Sequence, residues 1–117
     1  TLGVATGLTA SLPNASDAGK GWWCKFIVAT DITDASYAYQ IAVTSGDGDN
    51  LSGVTTATSG GFEAGLQLVA DGTNGTAVDL VDFTSASKVG DQLELVTDGT
   101  NWYALGHSYA YTAITYS

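Results

Sequence analysis

The sequence of 117 residues has one cysteine, one proline, one histidine, no methionine and no arginine, and its three lysines face twelve acidic residues, a formal net charge of −9. Each shortage removes a class of function. A lone Cys24 cannot build an intramolecular disulfide framework, which excludes the stapled scaffolds of small extracellular domains. One cysteine and one histidine cannot make a structural zinc site. So negative a chain repels phosphate backbones and anionic headgroups, so neither nucleic acid nor a membrane surface is an expected partner. No uninterrupted apolar run reaches membrane-spanning length, and the start has no basic segment leading into an apolar one. The same charge keeps an abundant protein soluble and limits indiscriminate self-association.

What is present points to a folded β domain. Hydrophobic residues make up 44% of the chain, with six Tyr, three Trp and three Phe, too apolar and aromatic for disorder. The length is one domain's worth, 1–117, around a single core. Fifteen Gly with abundant Thr, Ser, Val and Asp favour strands joined by tight turns over helices. Apolar and alternating stretches separated by Gly, Asn, Asp and Ser clusters predict strands at Thr9–Leu12, Trp22–Thr30, Ala38–Thr44, Gly53–Thr56, Gly65–Ala70, Val78–Phe83, Gln92–Thr97, Trp102–Leu105 and Tyr109–Thr115. The expected class is all-β, an antiparallel sandwich or barrel of about eight or nine short strands. The clearest hairpin runs from Leu93 to Leu105, because Asp98-Gly99 favours the positive φ angles of a tight turn. A second Asp-Gly-Thr-Asn at Asp71–Asn74 repeats that turn chemistry rather than a domain. Asp79–Ala86 and Ser59–Gly65 are the only places where a helical turn is conceivable, and neither has sustained helical periodicity.

Catalytic constellations are scarce. A nucleophilic triad needs a His to activate Ser or Cys, and His107 is the sole imidazole. It follows the hairpin in Leu105-Gly106-His107-Ser108, where a turn histidine facing solvent is the expectation. The carboxylates fall in turn-like contexts where Asp serves backbone hydrogen bonds rather than glycoside hydrolysis. Gly46-Asp47-Gly48-Asp49 would repel phosphate, and Thr44–Asn50 offers oxygen ligands of the kind calcium requires without the spacing or distal Glu of an EF-hand. An ordinary acidic turn is expected there. No metal, cofactor or catalytic residue is therefore assigned, and Cys24, in the apolar run Trp22–Val28, reads as a buried inert thiol. Three sequons, at Asn14, Asn50 and Asn74, arise by chance in so Ser/Thr-rich a chain.

Aromatics carry the remaining information. Neighbours in a strand point to opposite faces, so one of Trp22/Trp23 and one of Trp102/Tyr103 must face outward or into a partner. Tyr109 and Tyr111 fall on one face of the predicted last strand, an amphipathic strip of interface type. Trp22, Trp23, Tyr109 and Tyr111 are the candidate interface anchors, and Trp102 is expected in the core.

Three segments carry a resemblance. Ser11-Leu12-Pro13 with a short loop leads into Trp22–Val28. Tyr39–Val43 is followed by Gly46–Asn50 and Leu51-Ser52-Gly53, and Val89–Tyr103 forms the closing hairpin. Together they cover most of the chain and resemble the small trimeric capsid decoration (cement) proteins of tailed bacteriophages; the closing hairpin is similar to those of phage tail and fibre proteins as well. The resemblance implies a sandwich, jelly-roll or tulip-like barrel that forms a homotrimer on the outer capsid surface, after assembly in the host cytoplasm. There it would bind the major capsid protein and stabilise the coat. The paired Trp22-Trp23 and the shortage of basic residues depart from the pattern, so no site residue is carried over from the family. The alternatives are a tail or fibre module whose outward rings stack on host glycans, and a carbohydrate-binding module with calcium in the Gly46–Asn50 loop. An enzyme using His107 stands behind both.

Overall fold

A computed structural model of the chain describes residues 7–34, 36–43, 51–59, 66–71 and 79–116, with backbone alone for Leu66–Asp71 and Asp79. In chain order the elements are β1 (Leu8–Leu12), α1 (Ala15–Ala18), β2 (Trp23–Ile27), β3 (Tyr39–Val43), β4 (Leu51–Ser59), β5 (Leu66–Asp71), β6 (Asp79–Phe83), β7 (Gln92–Thr97), β8 (Trp102–Ala110) and β9 (Ile114–Tyr116). They form two layers, a four-stranded sheet β1-β3-β6-β9 and a five-stranded sheet β2-β7-β8-β4-β5. The protein is an all-β sandwich.

Both sheets are mixed, which corrects the antiparallel expectation. β1 runs parallel to β3, and β4 parallel to β8, while the other pairs are antiparallel. Alternation along a strand encodes which face is buried and says nothing about the direction of its neighbour. After β1 the chain crosses to the large sheet for β2 and returns for β3, and such a crossover can deliver the strand in parallel.

Alternation accounts for the layers. In β8, Trp102, Ala104, Gly106 and Ser108 are buried while Tyr103, Leu105, His107 and Tyr109 are exposed. In β7, Leu93, Leu95 and Thr97 are buried between exposed Glu94 and Val96. From the small sheet come Tyr39, Ile41, Val43, Val81, Phe83 and Ile114, and these two inner faces make one core. Trp102 is fully buried there, as expected, with its indole Nε1 lacking a hydrogen-bond partner. The ring of Trp22 meets it edge-on, centroids 5.5 Å apart at 89°, a favoured aromatic geometry.

Several local expectations change. The last two predicted strands become one continuous β8 followed by the turn Tyr111–Ala113 and the short β9, so Tyr111 does not share a strand with Tyr109. Gly106 does not break β8. Its role is space: an added Cβ would lie 2.6 Å from Thr55 Oγ1 and 3.2 Å from Ile114 Cδ1. Gly in a strand marks close approach as readily as a turn. β4 is also longer than expected, and Gly53 within it is flanked by Ser52 and Val54 in unbroken pairing with Ala104 of β8. The helical turn falls at Ala15–Ala18, where the Asn14 carbonyl accepts the N–H groups of Asp17 (3.1 Å) and Ala18 (2.9 Å) and Ala15 enters the core. Asp79–Phe83 is a strand, and the part of Ser59–Gly65 beyond Ser59 lies outside the described residues.

The hairpin between β7 and β8 closes from Thr97 and Trp102 through the four residues Asp98–Asn101, with only Gly99 at positive φ (93°). The tight two-residue turn is thus replaced by a loop organised by a carboxylate. Asp98 Oδ1 accepts the N–H groups of Thr100 and Asn101, both at 2.8 Å. A second carboxylate anchors the other end of β8. Asp91 is buried, its Oδ1 accepting the Tyr109 N–H (2.8 Å) and its Oδ2 the Lys88 N–H (2.9 Å).

Where the layers come closest, Gly53 lies against Tyr116. An added Cβ there would meet the ring at 2.5 Å, and the Tyr116 hydroxyl lies 2.8 Å from Thr55 Oγ1. Gly53→Val is expected to displace β9 and lower unfolding stability by about 1–3 kcal/mol, the usual cost of overpacking. Chemical denaturation checks this. Tyr116→Ala in the same background should recover part of the loss, because the obstructing ring is gone.

Candidate functional site

Residues pointing inward from the large sheet are consumed by the core, so its opposite face is what it offers to other molecules. Cross-strand register assembles that face in rows. Trp23, Val96, Tyr103 and Ser52 form the first, Lys25, Glu94, Leu105 and Val54 the second, and Ile27, Gln92, His107 and Thr56 the third. Tyr109 and Thr58 extend it along β8 and β4. Trp23 is 62% exposed, Leu105 46% and Tyr109 57%, and Ile27, Val96 and Tyr103 are exposed as well. Scattered exposed apolar residues are ordinary on a monomer; a contiguous group on one flat face marks an interaction surface. With strands about 4.8 Å apart and about 3.4 Å per residue, the three rows over four strands cover about 14 Å by 14 Å.

The hairpin loop holds part of this face rigid. The Tyr103 hydroxyl donates to Asp98 Oδ2 at 2.9 Å, fixing the ring beside Val96 and Trp23. The backbone N–H groups of Asn101 and Thr100, then the Tyr103 hydroxyl, hold the Asp98 carboxyl below its ordinary pKa, and Asp98 in turn pushes the Tyr103 phenol up. An aromatic group ordered before binding loses less entropy on contact.

Of the four predicted anchors, the structure brings Trp23 and Tyr109 onto this face, at opposite ends of it. Trp22 lies just before β2, 39% exposed, with its ring turned to Trp102. Tyr111 is 54% exposed in the turn before β9. Tyr103, expected outward as the neighbour of Trp102, joins the face together with Ile27, Val96 and Leu105, which were not named individually. Their signal was alternation in β2, β7 and β8, which marked them as half of an exposed set.

The remaining candidates fall elsewhere. His107 lies within β8 rather than in a turn, its Nδ1 2.6 Å from Thr56 Oγ1, a cross-strand pair on the exposed face. The turn expectation failed because Gly106 serves the packing just described. Cys24 is half-buried against the core, and burial pushes its thiol up to about 11. The Gly46–Asn50 loop and residues 72–74 of the second Asp-Gly-Thr-Asn lie outside the described residues. Among the described residues no group of three or more His, Cys, Asp or Glu is placed to hold a metal, and no helix is long and apolar enough to cross a membrane.

No protein family, no curated protein and no solved structure matches the chain.

Two predictions follow from the titrating groups. Because the folded Asp98 carboxyl has a lowered pKa, its stabilisation is complete above the unfolded value of about 4 and is lost as pH falls through the lower folded one. The Tyr103 hydrogen bond is correspondingly present below the unfolded phenol value of about 10. Tyr103→Phe should move the Asp98 carboxyl part of the way back up, and Asp98→Asn should lower the melting temperature at pH 7 but less so in acid. Carboxyl NMR titration and thermal melts across pH check both. For Cys24, a pKa of about 11 leaves roughly one thiol in a thousand ionised at pH 8, so iodoacetamide should label the folded chain far more slowly than the urea-unfolded one.

Proposed function

We propose that this chain is a structural virion subunit, a capsid decoration protein that trimerises and binds the outer surface of a phage head through the outward face of its large sheet. The reading rests on that face: apolar and aromatic side chains, one of them braced by a hydrogen bond, on a rigid two-layer scaffold. Only Lys25 and Glu94 bring formal charge among its twelve positions in three rows. Aromatic-rich, charge-poor centres are what distinguish interface cores from the remaining surface. The resemblance of the closing hairpin and the Leu-Pro and aromatic strands to decoration proteins supplies the location. In this reading the protein carries out no reaction, and its work is to hold coat subunits together.

Magnitudes argue for a multivalent attachment. Trp23, Ile27, Val96, Tyr103, Leu105 and Tyr109 are each roughly half exposed, and covering each contributes about 1 kcal/mol. The sum, about 6 kcal/mol, lies at the low end of the cost of bringing two proteins together, about 4–15 kcal/mol. Joining three copies makes each further contact intramolecular, and avidity then supplies what one face lacks.

Native mass spectrometry and light scattering test the assembly. The purified chain is expected to be trimeric, and Trp23→Ser combined with Leu105→Lys to abolish binding to phage heads while leaving the trimer, the far-UV spectrum and the melting temperature unchanged. A native chain that stays monomeric at every concentration reached overturns the reading. Density at three-fold positions of an imaged particle is the corresponding expectation for location.

A further inference from the structure

The outer surface of the small sheet differs in chemistry from that of the large one. Thr9, Gln40 and Asp82 stand side by side across β1, β3 and β6, and they line a cleft of about 550 Å³. Ser36 and Tyr37, just before β3, and Thr84 and Ser85, just after β6, complete its lining. The cleft lies within the usual size range of small-ligand sites. Gly7, at φ 79°, lets the chain pass beside it, since a Cβ there would lie 2.9 Å from the Ala38 carbonyl oxygen.

We infer that this cleft is a binding site for a neutral saccharide. Three features point that way. Asp82 Oδ1 is buried and has no hydrogen-bond partner. An unpaired buried acceptor is costly, and a turn of the Asp82 side chain that brings this oxygen to the cleft would let a ligand hydroxyl donate to it. Next to it, the Thr9 hydroxyl donates to Gln40 Oε1 at 3.2 Å, so the end of the carboxamide left for a ligand is its NH2. Donor and acceptor on adjacent strands match the paired hydroxyls of a sugar ring. Finally, Tyr37 is 40% exposed at the rim, an aromatic face of the kind that covers the C–H side of a pyranose.

Competing ligand classes fit less well. Among the described residues Asp82 is the only charged one in the lining, and with no lysine beside it a phosphate, sulfate or uronate meets repulsion. Calcium takes six to eight oxygens, usually with several carboxylates, and one carboxylate is present. A lining of Thr, Ser, Gln and Asp leaves an apolar ligand with polar groups to desolvate. The site is on the opposite layer from the apolar face, so it is independent of the decoration reading, and either can fail without the other.

The test is a titration of the full chain followed by 1H–15N spectra. The probes are the methyl glycosides of glucose, galactose, mannose and N-acetylglucosamine, with methyl glucuronide and glycerol as controls. At least one neutral glycoside is expected to shift the amides of Gln40, Asp82 and Ser85 with a Kd of about 1–10 mM. Tyr37→Ala and Asp82→Asn should each weaken it at least about tenfold while leaving distant amides unmoved. Tyr37 is exposed, so its variant serves even if Asp82→Asn unfolds. The inference is overturned if no neutral glycoside shifts these amides at about 50 mM, or if Tyr37→Ala binds as well as the native chain. It is also overturned if methyl glucuronide binds as tightly as the neutral sugars, or if glycerol reproduces the shifts.

Discussion

The sandwich depends on a close approach between its layers at Gly53 and Gly106, neighbouring positions on β4 and β8 that both face inward. No side chain fits at either one: the ring of Tyr116 lies over the first, and Thr55 with Ile114 fills the space over the second. The hydroxyls of Tyr116 and Thr55 then meet at 2.8 Å, so the small sheet's last strand is tied to the middle of the large sheet by packing and one polar contact. Glycine in a strand interior ordinarily weakens it. Here that loss is offset by the burial of Ile114 and Tyr116, which have no comparable seat elsewhere in β9.

Because β8 is not interrupted at Gly106, it runs nine residues without a bend and presents four side chains in line on its far side. Its ends are held by carboxylates rather than by further apolar packing. Asp91 fixes the Tyr109 N–H and Asp98 organises the hairpin while gripping the Tyr103 hydroxyl. This explains how a strongly acidic chain keeps an apolar face: several of its aspartates sit in turns, satisfied by backbone donors, and the strands between them stay nearly free of charge. Exposure of Tyr103 and Tyr109 is therefore a property of a strand held at both ends and paired on both sides.

Much of this was legible in the sequence. The bounds of β7, Gln92–Thr97, follow from its alternation, and Asp98-Gly99 marked the hairpin to Trp102 though not the four-residue loop that closes it. Parity placed Trp102 and Tyr103 on opposite faces, and the separate expectation of Trp102 in the core made Tyr103 the outward one. What failed was glycine: Gly106 was read as a turn because local sequence cannot distinguish a residue that bends the chain from one that makes room for another strand. Strand direction failed for a related reason, since the parallel pairs β1–β3 and β4–β8 are set by how the chain crosses between layers. The cleft on the small sheet had no sequence signal at all. Thr9, Gln40 and Asp82 are far apart in the chain and become neighbours only through register.

The two outer surfaces thus divide the chemistry of the protein. On the large sheet the outward positions include Trp23, Ile27, Val96, Tyr103, Leu105 and Tyr109 among polar neighbours such as Gln92, His107 and Thr56, and the apolar ones gain by leaving water and impose little directionality. On the small sheet they are Thr, Gln and Asp, groups that gain only when a partner meets their hydrogen bonds. A surface of the first kind suits a broad protein contact, whose strength grows with area and with the number of copies. One of the second kind suits a small polar ligand, whose fit depends on a few atoms. Each inward face is already committed to the shared core, so among the described residues the outer side chains of either sheet are left to solvent. Covering the large sheet's apolar side chains would release water from them, and because a single such face contributes little, strength on that side grows with the number of contacts made at once.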